Sequence, residues 1–198
     1  MIRNILLFFL FIFSIEKNCS FDDSPRIDEI NKYFESFESC NCELIQTNPD
    51  GTKQFGKMYW DRSNQRIKIN YDVEKISIYL DKKKYLIIDH LDKKIQSFDI
   101  SDTPISILLN KKFNLKDKRI KIHFLEERDG NLYITIKQYN DDRVKLTLSF
   151  LTVPSLKLIG WVTRDIQGNT TIIDLSNIHN DKKIDKNIFN IPNYEYVS

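Results

Sequence analysis

Apolar and polar residues alternate with a period of two along most of the chain from Cys42 onward, the pattern of strands with one buried face. The first strand, 43–47, runs into Asn48-Pro-Asp-Gly51, a strong turn signal, and alternation continues through 53–60, 66–71, 75–79, 85–89 and 94–98. It resumes at 119–124, 132–136, 144–150, 156–164 and 170–178, across turns at Arg128-Asp-Gly-Asn131, Asn140-Asp-Asp142 and Asp165-Ile-Gln-Gly-Asn169. About ten antiparallel strands follow from this, with no linker and no internal repeat.

Two stretches change the period. Ser24 and Pro25 suit a helix start, and Ile27, Ile30, Phe34 and Phe37 recur every three or four residues, which predicts a helix to about Ser39. In Ser101-Asp-Thr-Pro-Ile-Ser-Ile-Leu-Leu109 a capping cluster and Pro104 precede Ile105, Leu108 and Leu109, which predicts a short apolar helix between strands. Strands and helices must share one core. The expected fold is mainly β with α (α+β): a strongly curved sheet or incomplete barrel, with the first helix in its concave mouth and the short helix as a lid. The pattern fits a filled interior as well as a hollow apolar cavity.

Residues 1–20 stand apart. Arg3 precedes an apolar run that ends at Glu16, the layout of a secretory signal peptide and too short for a comfortable membrane span. Its removal leaves residues 21–198 as one domain. Cys19 lies at the end of the run, but Glu16 and Asn18 before it are not the aliphatic and small residues a lipidation site requires.

The 198 residues include no alanine, 30 basic and 28 acidic side chains, and a formal net charge of +2. Lacking the best helix former and favouring isoleucine and aromatics, the chain is predisposed to sheet. Near-neutrality argues against nonspecific nucleic-acid binding, which depends on a basic excess. Cys40 and Cys42 form a C-x-C pair, able to make only a strained disulfide and otherwise left as thiols. His90, His123 and His179 are too scattered for a local metal site, and no cofactor is implied. Asp22-Asp23 and Asp141-Asp142 read as solvated pairs, and no nucleophile, phosphate-loop or zinc motif occurs, so an enzyme is not expected.

Gly56-Lys-Met-Tyr-Trp-Asp-Arg62 followed by Arg66-Ile-Lys-Ile-Asn-Tyr71 resembles the periplasmic outer-membrane lipoprotein carriers of the LolA type, with Ser63 where that family has proline. The likeness continues in order through Thr103-Pro104-Ile105, Leu158-Ile-Gly-Trp161, Asp165-Ile-Gln-Gly168, Thr170-Thr171 and Phe189-Asn-Ile-Pro192. It implies an open barrel closed by helices over a hydrophobic cavity. It also implies a monomer that passes acylated lipoproteins through the periplasm, from an inner-membrane ABC transporter to an outer-membrane acceptor. By the same resemblance Arg62 holds the lid shut. Phe34, Phe37, Trp60, Ile105, Leu108, Leu109 and Trp161 are the candidate lining. The physical demand is clear: three acyl chains in water cost on the order of 30 kcal/mol, at about 0.8 kcal/mol per methylene. A sensor or regulatory domain of the same shape, binding lipid without shuttling it, is the alternative.

Overall fold

The computed structural model describes residues 25–100, 103–138, 141–165, 167–180 and 184–197. The signal segment, Cys19, Asp22, Asp23, the Ser24 cap, and Ser101 and Asp102 of the capping cluster lie outside the described residues, as do the side chains of Asp141 and Asp142.

A single helix, α1 (Pro25–Glu35), precedes the strands β1 (Ser39–Thr47), β2 (Lys53–Asp61), β3 (Arg66–Tyr71), β4 (Ile76–Leu80), β5 (Tyr85–Asp89) and β6 (Lys94–Phe98). A 3₁₀ helix (Pro104–Leu109) separates these from β7 (Ile120–Arg128), β8 (Asn131–Gln138), β9 (Asp141–Leu151), β10 (Lys157–Arg164) and β11 (Thr170–His179). A second 3₁₀ turn (Lys186–Phe189) and β12 (Glu195–Val197) complete the described chain. All twelve strands form one sheet in the order β12-β6-β5-β4-β3-β2-β1-β11-β10-β9-β8-β7. Two up-and-down meanders are thus fused where β1 pairs antiparallel with β11, and the ends of the sheet, β7 and β12, do not meet.

The sheet curls. Ile122 of β7 and Leu80 of β4, which lie far apart in the strand order, share one buried cluster with Ile27, Ile30 and Phe34 of α1. Such a cluster requires the sheet to wrap round the helix as an incomplete barrel. Eleven of the twelve strands fall on the eleven spans that alternate, β1 starting earlier, at Ser39, and β9 at Asp141 within the expected turn; β12 is the addition. The helix stops at Glu35, short of Ser39, because Ser36 turns the chain: both its N–H and its hydroxyl donate to the Tyr33 carbonyl, at 3.1 and 2.7 Å. Phe37 is buried from the connecting segment. The lid element is 3₁₀ rather than α, and over six residues the two share the same apolar spacing.

Outside the curl lies a second, smaller core. Tyr79, Leu86, Ile88 and Ile95 face away from the concave side and are covered by Phe189, with Ile184, Ile188, Ile191 and Tyr194 packed around it. Arg66 reaches over the Phe189 ring at 4.0 Å while its guanidinium pairs with Asp61 at 2.9 Å. The C-terminal segment therefore straps the convex face of the first meander and ends by pairing β12 in parallel with β6.

Candidate functional site

The concave face can be followed residue by residue through the register. Trp60 of β2 faces Ile67 of β3, then Leu80 of β4, Tyr85 of β5 and Phe98 of β6. A parallel row runs from Met58 through Ile69, Ile78 and Ile87 to Gln96. Side chains opposite one another across a ladder share a face, so these rows form one surface, apolar up to Gln96 at its outer end.

Burial along that surface is graded. Trp60, Ile67 and Leu80 are sealed beneath the closing elements, Tyr85 is half-buried, and Phe98 at the end of β6 is 42% exposed. Ile78 and Ile87 are likewise half-buried. The Tyr85 and Phe98 rings lie 5.3 Å apart. Burial also pushes the Tyr85 hydroxyl above its ordinary pKa, as expected for a phenol set in an apolar wall. The covered end of the curl is thus continuous with an open apolar ramp.

The covered end is filled with rings. Phe34 of α1 stands edge-on to Phe113 at 4.6 Å, and lies 6.1 Å from both Trp60 and Phe150. Phe37 meets Trp60 edge-on at 5.5 Å. Ile105, Leu108 and Leu109 descend from the 3₁₀ helix into the same cluster, which Trp161 joins from β10, and the 3₁₀ helix packs on β9 and β10. The structure therefore brings Phe34, Phe37, Trp60, Ile105, Leu108, Leu109 and Trp161 into one buried cluster.

Arg62, the first residue past β2, sits between the closing elements at 6% exposure. Nη1 donates to the Phe37 carbonyl and Nη2 to the Lys111 carbonyl, each at 3.3 Å. One acceptor follows α1 and the other follows the 3₁₀ helix, so a single guanidinium spans both covers. Its Cζ lies 5.1 Å from the Phe37 ring centroid and 5.7 Å from that of Phe34, which adds cation–π attraction in a site shielded from water. Burial pulls its pKa below the ordinary arginine value, against Cys40, Glu35 and Tyr33, which draw it upward. Arg62 Nε and Trp60 Nε1 are buried with no acceptor among the described residues, a condition that costs about 1–3 kcal/mol per donor.

The same two covers are stitched together elsewhere. Asn31 of α1 accepts from the Leu115 N–H at 2.8 Å and donates to Asn114 Oδ1 at 3.0 Å. Lys116 pairs with Asp28 at 2.8 Å. Arg26 grips Glu127 of β7 at 2.7 Å, but that pair is solvent-exposed and contributes little.

Cys40 and Cys42 are thiols not joined in a disulfide, both buried in the concave core from β1. Burial pushes the Cys42 thiol up to about 12, so it is an inert apolar packing group. No cluster of histidine, cysteine and carboxylate able to hold a metal occurs among the described residues.

Comparison with known proteins agrees with this architecture. The profile of the family described as outer membrane lipoprotein carrier protein LolA matches residues 35–192. Nothing among curated proteins matches the chain. An uncharacterized conserved protein from Thermus thermophilus is similar in structure, with a TM-score of 0.51 at 7% identity over 87% of this chain and 96% of that one. A LolA superfamily protein from Nitrosomonas europaea aligns with a TM-score of 0.39 at 10% identity, over 77% of this chain and 89% of its own. At such identities the Thermus likeness speaks for the fold alone.

Proposed function

The chain belongs to the LolA family, the outer membrane lipoprotein carrier proteins, and from that premise we propose that it is a lipoprotein carrier of the periplasm. In this reading it takes acylated proteins from an inner-membrane ABC transporter and hands them to an outer-membrane acceptor, working as a monomer and without catalysis. The observation that carries the proposal is the concave apolar surface, sealed by α1 and the 3₁₀ helix at one end and open at Tyr85 and Phe98 at the other.

Such a surface suits a cargo that must be shielded and then surrendered. Acyl chains entering over the ramp displace the ring cluster and lift the covers, burying their own methylenes at about 0.8 kcal/mol each. Closure competes with them. The Arg62 bonds to the Phe37 and Lys111 carbonyls form only when both covers are down, so they favour the empty state and help expel the chains. Phe34, Phe37, Trp60, Ile105, Leu108, Leu109 and Trp161 line the opened space, and Arg62 is its latch. The segment 1–20 serves as export signal, and no helix among the described residues is long and apolar enough to cross a membrane.

The test is native mass spectrometry of the chain purified from the envelope of its own cells. A co-purifying acylated protein, more abundant in Arg62→Leu than in wild type, is expected. Persistent recovery of empty protein from both would refute the carrier role.

A further inference from the structure

Two donors at the end of β2 are left without acceptors among the described residues, Trp60 Nε1 and Arg62 Nε. Trp60 lies on β2 and Arg62 in the turn that follows it, and the Arg62 guanidinium lies over the Phe34 and Phe37 rings of the cluster that Trp60 joins. Both also pack on one ring: the Phe37 centroid lies 5.5 Å from that of Trp60 and 5.1 Å from Arg62 Cζ. At 1% and 6% exposure, neither side chain is open to bulk water.

Orphaned buried donors are rare in folded proteins, and each requires a reason. Packing alone supplies none, since phenylalanine or leucine at position 60 would fill the core without an unpaired N–H. Opening the covers enlarges the deficit, because Arg62 then loses the Phe37 and Lys111 carbonyls as well. The guanidinium and indole would then bring unpaired N–H groups to the edge of an apolar space. A hydrocarbon chain cannot satisfy them. The carbonyl at the head of an ester-linked chain can.

We propose that Trp60 Nε1 and the Arg62 guanidinium form a polar anchor for the ester carbonyl of an acylated ligand, making the site selective for ester-linked acyl chains over ether-linked ones. The proposal rests on the reading of the concave face as an acyl-binding surface and adds orientation to it. Chains lie along the apolar rows, and the ester head sits between β2 and Phe37. A site built to hydrogen-bond a ligand group rejects analogues lacking it far better than an apolar pocket rejects a change in chain length.

The test uses the full chain and a fluorescent dansyl fatty acid, displaced in parallel by dipalmitoylglycerol and by its di-O-hexadecyl ether counterpart. The ester should displace the probe about tenfold more strongly, the loss expected for one unpaired buried donor. Trp60→Phe should reduce that preference to less than about twofold. Because this variant removes volume from the core, a second readout leaves residue 60 intact. The chain has 2 tryptophans, so two indole N–H resonances are present, assigned with Trp161→Phe. The Trp60 resonance should move downfield on adding ester and stay in place with ether. Equal displacement by ester and ether with an unmoved indole overturns the anchor and leaves the carrier reading standing. An ester preference that survives Trp60→Phe overturns the role of Trp60. Displacement by neither lipid overturns the anchor and the acyl-binding surface together.

Discussion

Replacing Arg62 with leucine separates the latch from the fold. The guanidinium makes two charge-assisted bonds, worth about 1.5–3 kcal/mol each in general. At 3.3 Å both are longer than the usual mode, so the lower bound of about 1.5 kcal/mol apiece applies. Their loss lowers the free energy of opening the covers by about 3 kcal/mol, a factor of about 150 in the opening equilibrium. Global stability should change far less. Leucine spares the cost of burying a charge, which commonly offsets what a buried ionic group gains. Hydrogen exchange resolves the two effects: amides across 104–113 should exchange about a hundredfold faster in Arg62→Leu, while those of β8 and β9 stay protected. A hydrocarbon probe that binds the open form, with no carbonyl for the guanidinium to meet, should gain affinity by up to the same factor. Unchanged exchange across 104–113 in a folded variant would refute the latch, as would probe affinity within twofold of wild type.

Phe34→Ala should destabilise the fold by about 3–5 kcal/mol in urea titrations, because it empties the centre of the ring cluster. Gly160→Ala should cost about 3 kcal/mol by the same measurement, since a Cβ there would stand 2.2 Å from the Ile173 carbonyl oxygen, a backbone atom that cannot yield cheaply. Alkaline pH should unfold the protein. Burial holds Tyr33 and Cys42 up to about 12, against ordinary values of 10.0 and 9.0, so above pH 9 the unfolded chain sheds protons that the folded chain keeps. Stability is therefore full below that pH and declines from there toward pH 12. A urea midpoint that is the same at about pH 8 and about pH 11 would contradict this.

What can be read from the sequence divides along physical lines. Strands with one buried face announce themselves, and β1 to β3 and β7 to β11 lie where the alternation of Met58, Trp60, Ile67 and Ile69 and its counterparts places them. The ramp is not legible at β5, which is apolar on both faces. Leu86 and Ile88 face the C-terminal strap while Tyr85 and Ile87 face the concavity, and a doubly apolar run does not reveal which side is which. The strap escapes a reading of the sequence for a related reason. Ile184, Ile188, Phe189, Ile191 and Tyr194 follow neither period, and three residues of β12 are too few to show alternation. The buried cluster that holds the candidate lining is legible because it coincides with the core, and Arg62 is singled out only through likeness to a family. Nothing in Asp61-Arg62-Ser63 as a turn announces a guanidinium buried between two covers.

The central claim is that the concave apolar surface receives acyl chains past Phe98 at the end of β6. It is tested most directly by titrating the full chain with a synthetic triacylated lipopeptide under native mass spectrometry, alongside Phe98→Asp. Phe98 is 42% exposed, so the substitution should spare the fold while placing a carboxylate on the ramp. The account predicts a saturable one-to-one complex with the wild type and binding weakened at least about tenfold in the variant. No complex at saturating lipopeptide, or equal binding by both proteins, would contradict it.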